Sequence, residues 1–184
     1  RQMGEVVGDE GNVGNEKTGV PYSGWYAPAV NIHRSPFAGR NWEYYSEDGL
    51  LSGKLAANVV QGAQSKGLYC YVKHFAVNDQ ETDREYNGIL VWTNEQAMRE
   101  LYLKPFEIAV KEGGAYGIMS SFNRLGMTWA GGSYPLLTSV LRDEWGFQGM
   151  VITDYSLNTY THVDEMIRAG GDLFLTQDTK KFYK

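Results

Sequence analysis

A lone carboxylate, Asp154, directly follows Met150-Val151-Ile152-Thr153, an apolar and β-branched run bounded by Gly149, and Tyr155 stands beside it. Such a run suits a buried strand of a parallel sheet. The carboxyl ends of parallel strands are where α/β barrels and open α/β sheets hold their chemistry. Asp154 equally suits a cap on the following helix, because βα loops often end in Asp. Other polar residues fall at comparable points. Arg40 lies in the loop after a first strand, Lys73-His74 end a second, Arg84 lies in the loop beyond, and Phe122-Asn123 end another.

Singly, each has a plainer role. Arg40 can pair with Glu43 or Glu47 on the surface, His74 can be a satisfied core histidine, and Arg84 can join a solvated network with Asp79, Glu81, Asp83 and Glu85. Lys73 is either a strand-end charge or the Schiff-base lysine of an aldolase-like barrel. Their shared strand-end placement favours one pocket instead, since parallel strands project their ends from one face. Arg, Lys and His around a carboxylate favour its ionised form, which suits a nucleophile or an electrostatic stabiliser better than a general acid.

Other chemistries lack their signatures. His33, His74 and His162 are far apart and form no H-x-x-x-H pair, so no metal is expected. No Gly-x-Ser-x-Gly elbow, no Gly-x-Gly-x-x-Gly turn and no phosphate loop is present, so no cofactor is expected. The chain carries 17 Lys and Arg against 22 Asp and Glu, net −5, with no basic run, which argues against nucleic acid and anionic membrane as partners. No apolar run approaches the ~20 residues of a membrane span. Aromatic residues make up 14%, more than a core needs, and suit a site that stacks flat faces such as sugars. The single Cys70 excludes an intrachain disulfide and reads as a buried structural thiol.

The elements that must position these residues alternate. Residues 1–8 read as the end of a helix and 8–24 as a Gly-rich loop. Trp25–Ile32 reads as a strand that Pro28 interrupts. Residues 46–66 read as a helix with Leu50, Leu51, Leu55, Val59 and Ala63 on its apolar face and Gly67 as its stop. A strand follows at 68–75 and a short apolar run at 89–92. Thr93 with Gln96 reads as a capping box opening a helix towards Lys111, which Pro105 kinks or resets. Residues 116–122 read as a strand, Ser133 or Thr138 as the start of a helix closed by Gly146, 163–169 as a short helix, and 172–176 as a last strand. About five parallel strands alternating with helices give an α/β fold with right-handed crossovers. A whole (βα)8 barrel needs ~250 residues, so 184 residues make either a small doubly wound sheet or most of a barrel without its first strands.

Consecutive motifs add a resemblance. Ala27-Pro28-Ala29-Val30-Asn31-Ile32-His33-Arg34, Gly39-Arg40-Asn41-Trp42-Glu43 and Ser46-Glu47-Asp48 open the series. Lys73-His74-Phe75, Asn78-Asp79-Gln80-Glu81-Thr82-Asp83-Arg84, Met119-Ser120-Ser121-Phe122-Asn123 and Val151-Ile152-Thr153-Asp154-Tyr155 complete it. Together, from about Ala27 to Thr176, they resemble the family 3 glycoside hydrolases. That resemblance implies an incomplete (βα)8 TIM-like barrel, with residues 1–184 part of the N-terminal-type catalytic domain of a retaining, exo-acting β-glucosidase. It implies Asp154 as nucleophile, Arg40, Lys73, His74 and Arg84 on the hydroxyls of the innermost sugar, and Met119 and Phe122 lining the same site. Tyr155 takes the place of an aromatic that clamps the next sugar.

Two departures stand out. The family often has Tyr at Phe122, and loss of that hydroxyl would slightly raise the nucleophile's pKa or shift its orientation. The N-acetylglucosaminidase branch carries a His-containing loop after Lys-His-Phe-Pro-Gly, whereas Ala76-Val77-Asn78-Asp79 stands here. Retaining hydrolysis needs two carboxyl groups about 5–5.5 Å apart. The resemblance implies that the second, an acid/base Glu, comes from a companion α/β sandwich domain, and that the first barrel strands precede Arg1. A sugar-binding relative without catalysis and a β-xylosidase of the same family remain as alternatives, and an oligomer is left open.

Overall fold

The computed structural model describes residues 1–15, 17, 19–84, 88–156, 160–178 and 180. A sheet of four short parallel strands lies at its centre: β1 (Gly24–Trp25), β2 (Tyr69–Phe75), β4 (Gly117–Ser120) and β7 (Met150–Thr153), in the order β1-β2-β4-β7. Single parallel bridges, Ala29 with Lys73 and Ile152 with Leu173, extend it along β2 and beyond β7. Parallel neighbours in chain order, each reached over a helix, are the βαβ pattern expected from the alternation of elements. The sheet is open, with no closed barrel among the described residues.

Expected elements shrink at the edges. Of Trp25–Ile32 only Trp25 and the Ala29 bridge pair, and the Ala27–Pro28 peptide between them is cis, as are Lys73–His74 and Phe75–Ala76. The last strand is reduced to the bridge at Leu173. A second sheet, absent from the sequence reading, joins β3 (Leu90–Val91) in parallel to β5 (Arg124–Leu125), which pairs antiparallel with β6 (Thr128–Trp129). Strands of two residues are too short for a periodicity to register.

Helices cover one face of the main sheet. α1 spans Gln2–Val13, so the helix runs well into the stretch read as loop; its glycines at 4, 8 and 11 are buried against α2 (Gly49–Gln64) and the segment that follows it. A Cβ on Gly62 of α2 would collide with the Arg1 carbonyl, and one on Gly53 would stand 2.7 Å from Ile108 Cδ1. α2 therefore packs on small residues. Gly53, Ala56, Val60 and Ala63 are buried, whereas Leu50, Leu51 and Leu55 are exposed, against expectation. The helix is capped by Asp48, whose Oδ1 accepts from Leu51 N at 2.6 Å.

The next helix is capped by Asn94 rather than Thr93, Asn94 Oδ1 accepting from Ala97 N at 2.8 Å. It runs as α3 (Glu95–Ala97) into a π-helical turn at Met98–Tyr102, then restarts as α4 (Lys104–Lys111) with Pro105 in its first turn, where the missing N–H costs nothing. Neither Ser133 nor Thr138 caps the π-helix Pro135–Glu144; the Thr138 hydroxyl instead donates to Ala169 O at 2.9 Å, tying that helix to α5 (Val163–Ala169). Between helices and sheet lies the core, with Val72, Phe75, Phe106, Ile118, Leu137 and Val151 fully buried or nearly so. Cys70 is buried there too, and burial pushes its thiol up to about 12.

Candidate active site

Asp154 stands one residue past the end of β7, its backbone N–H donating to Ser120 O at 3.1 Å. Its Oδ1 accepts from Tyr155 N at 2.8 Å, and its Oδ2 lies 3.3 Å from Arg84 Nη1 and 3.5 Å from His74 Nε2. The carboxylate thus ends a strand with fixed donors, which differs from a helix cap: no helix starts at Asp154 among the described residues.

The position of His74 depends on an irregularity in β2. Along this strand Cys70 and Val72 point into the helix-covered core, and strict alternation would send His74 there as well. The register against β4 shifts between Val72 and Phe75, so Phe75 takes the core position and His74 turns to the site, only 2% exposed. Asn31 receives it: His74 N donates to Asn31 Oδ1 at 2.7 Å and Asn31 Nδ2 donates to His74 O at 2.9 Å. Burial, and then the positive fields of Arg40, Arg84 and Lys73, hold the imidazole well below its usual range, so it is neutral at pH 7. Nε2 lies 3.2 Å from Arg40 Nη1 and Nδ1 lies 3.2 Å from the Tyr44 hydroxyl. With Nε2 bare the ring accepts from Arg40; with Nε2 protonated it points a donor at Asp154 and Nδ1 accepts from the Tyr44 hydroxyl.

Three cations alternate with three carboxylates here, Asp154 being one of them. Arg40 Nε donates to Glu43 Oε2 at 2.7 Å, and Lys73 Nζ reaches Glu43 Oε1 at 3.0 Å. Glu81 holds Arg84 Nε at 3.0 Å and lies 3.8 Å from Arg40. Burial alone would raise the Glu43 carboxyl, but the hydrogen bonds from Lys73 and Arg40 outweigh it and leave it below its usual value. Both surface-type pairings expected for Arg40 and Arg84 therefore exist, and they exist inside the pocket. With a carboxylate partner at 3.0 Å, the Lys73 amine gives no support to imine chemistry.

Glu43 and Glu81 hold the three cations in place, where their types and spacing alone read as solvated partners. Their spacing, three residues from Arg40 and Arg84, was the available signal. Tyr44 and Asn78 were missed outright. The Tyr44 hydroxyl, raised by burial, bridges His74 to Asn78 Nδ2 at 2.8 Å, and Asn78 Nδ2 also donates to Glu81 Oε1 at 3.0 Å.

Of the apolar candidates, Phe122 lies against the polar ring. Arg84 lies 5.0 Å over the Phe122 ring, a cation–π contact that fixes the guanidinium where it meets Asp154. Met119 is buried in β4 beside Ile152 of β7 and alternates with the core residue Ile118, so it faces away from the helix layer. Tyr155 is half-buried next to Asp154. Glu85, part of the charged loop around Arg84, lies outside the described residues. Among the described residues no three His, Cys, Asp or Glu side chains gather as metal ligands. The arrangement can hold hydroxyls with directional donors and keep one carboxylate ready to attack an electrophilic carbon.

A family model described as the glycosyl hydrolase family 3 N-terminal domain matches residues 2–182. The chain is 46% identical over 142 residues to beta-glucosidase A of Butyrivibrio fibrisolvens, covering 77% of this chain and 17% of that protein. Over 128 residues it is 46% identical to an exo-alpha-(1->6)-L-arabinopyranosidase of Bifidobacterium longum, covering 70% and 17%. Among solved structures, beta-glucosidase 3B from Thermotoga neapolitana in complex with alpha-D-glucose superposes with a TM-score of 0.83 at 41% identity, over 94% of this chain and 23% of that one. The chain thus spans 17% to 23% of the length of these relatives.

Proposed function

Because the chain belongs to the glycosyl hydrolase family 3 N-terminal domains, we infer that it forms the sugar-holding part of the catalytic barrel of a retaining, exo-acting β-glucosidase. The observation that carries this reading is the Asp154 carboxylate at a strand end, held by Arg84 and Tyr155 N and bordered by neutral His74. In the first step an Asp154 oxygen bonds to the anomeric carbon while the glycosidic C–O bond breaks, and the departing oxygen takes a proton from the acid. In the second, water loses a proton to the same residue and attacks that carbon, freeing Asp154 with net retention.

Glu43 and Glu81 do not suit the acid role, since each is engaged by two cations. This supports an acid/base Glu supplied by a companion α/β sandwich domain. Arg40, Lys73, His74 and Arg84 would grip the hydroxyls of the terminal sugar, with Met119 and Phe122 lining its site and Tyr155 stacking on the next one.

Mass spectrometry of the full-length protein after incubation with a 2-deoxy-2-fluoro-glucoside tests this, because the fluorine slows breakdown of the covalent intermediate. A label on the peptide containing Asp154 is the expected result. A label elsewhere would overturn the nucleophile. A second reading, a different β-glycoside or an L-arabinopyranoside as substrate, rests on the Bifidobacterium relative being as similar as the Butyrivibrio one; turnover of that pyranoside without glucoside turnover would favour it.

A further inference from the structure

One buried carboxylate has no part in the steps above. Asp79 is 5% exposed, and its Oδ1 accepts from Ile32 N at 3.2 Å, while among the described residues its Oδ2 has no hydrogen-bond partner. Ile32 follows Asn31, whose amide grips both backbone groups of His74. Asn78, the other neighbour in the same turn, holds Tyr44, which meets the His74 ring. Residues 78 and 79 therefore reach His74 along two routes, backbone and side chain. An amide at position 79 would accept the Ile32 N–H without burying a charge, so the fold alone does not ask for a carboxylate there.

We propose that Asp79 is a positioning residue for the glycosidase reaction: its ionised carboxylate anchors the Asn31–Ile32 segment and, through Asn31, sets where His74 stands against Asp154. This rests on the function proposed above. The Ile32 bond is charge-assisted only while Asp79 is ionised. Burial pushes that carboxyl up to about 6, against the pull of Arg34 and of the Ile32 N–H. Arg34 is the other charged side chain lining the cleft beside it among the described residues; Gln80 and Asn123 line it uncharged.

The sign follows from linkage. A folded value of about 6 above the ordinary 3.8 means that the folded protein binds more protons between those pH values. Asp79 therefore makes the fold less stable as pH rises through that window, while the same rise strengthens the anchor. Activity and stability move in opposite directions, which a merely structural residue would not produce.

The test uses the full-length protein and an aryl β-glucoside, with kcat/KM followed from about pH 4 to 8. Asp79→Ala is expected to lose roughly tenfold or more in kcat/KM at neutral pH. Asp79→Asn, which keeps the acceptor and loses the charge, should stay below the wild type in kcat/KM at neutral pH, melt no lower than the wild type at pH 7, and lack the acid limb near pH 6. If Asp79→Ala fails to fold, Asp79→Asn decides alone. A wild-type limb retained in Asp79→Asn, or full activity in folded Asp79→Ala, overturns the proposal. An inactive wild type overturns the function and this proposal together.

Discussion

Two clusters of this chain are assembled from the same parts. On the outer helix surface Arg99, Lys104 and Lys111 meet Glu95, Glu107 and Glu144; at the strand ends Arg40, Lys73 and Arg84 meet Glu43, Glu81 and Asp154. Distance does not separate them, since Arg99 reaches Glu144 at 2.7 Å and Arg84 reaches Asp154 only at 3.3 Å. Exposure does. The outer side chains are 25% to 79% exposed and the inner ones 13% to 23%. Water and salt screen the first set, so each pair adds little to stability. In the second set burial excludes most of the water, so removing one partner strands another. Three cations and three carboxylates are a solvated surface in one place and a site in the other.

The largest effect should come from Asp154→Asn in the full-length protein. We expect kcat/KM to fall by roughly 10³-fold or more with an unchanged circular dichroism spectrum; near-normal turnover would sink the nucleophile assignment and with it the contrast between the clusters. Arg84→Ala comes next. It removes a charged hydrogen bond to Asp154 and the stack on Phe122, and should cost about 1.5–3 kcal/mol of transition-state stabilisation, roughly 10- to 100-fold in kcat/KM. Arg99→Ala should change neither kcat/KM nor the melting temperature beyond the scatter of replicates, although it deletes the shorter contact. Equal effects of Arg84→Ala and Arg99→Ala would break the comparison.

Much of the site was legible because strand-end placement is a sequence property. Arg40, Lys73, His74, Arg84, Phe122 and Asp154 were placed at the ends of strands or in the loops beyond, and the parallel sheet brings them to one face. Tyr44 and Asn78 escaped notice because nothing local marks a hydroxyl or an amide as a bridge; Tyr44 meets His74 30 residues along the chain, and Asn78 meets Tyr44 34 residues back. The leucines of α2 misled for a related reason. They have the right period and the right hydrophobicity, but α1 and α4 approach so closely that Gly62 and Gly53 of α2 have no room for a side chain.

The sequence by itself determined the alternation of strands and helices, the strand-end carboxylate, and the motifs that mark the family, because these are properties of residue type and spacing. Tertiary structure alone decided which charges are screened and which are held, and which face of α2 is buried. It also decided that His74 rather than Phe75 faces the site. That last choice turns on a register shift between β2 and β4, a contact between strands more than 40 residues apart, where no local pattern can set it.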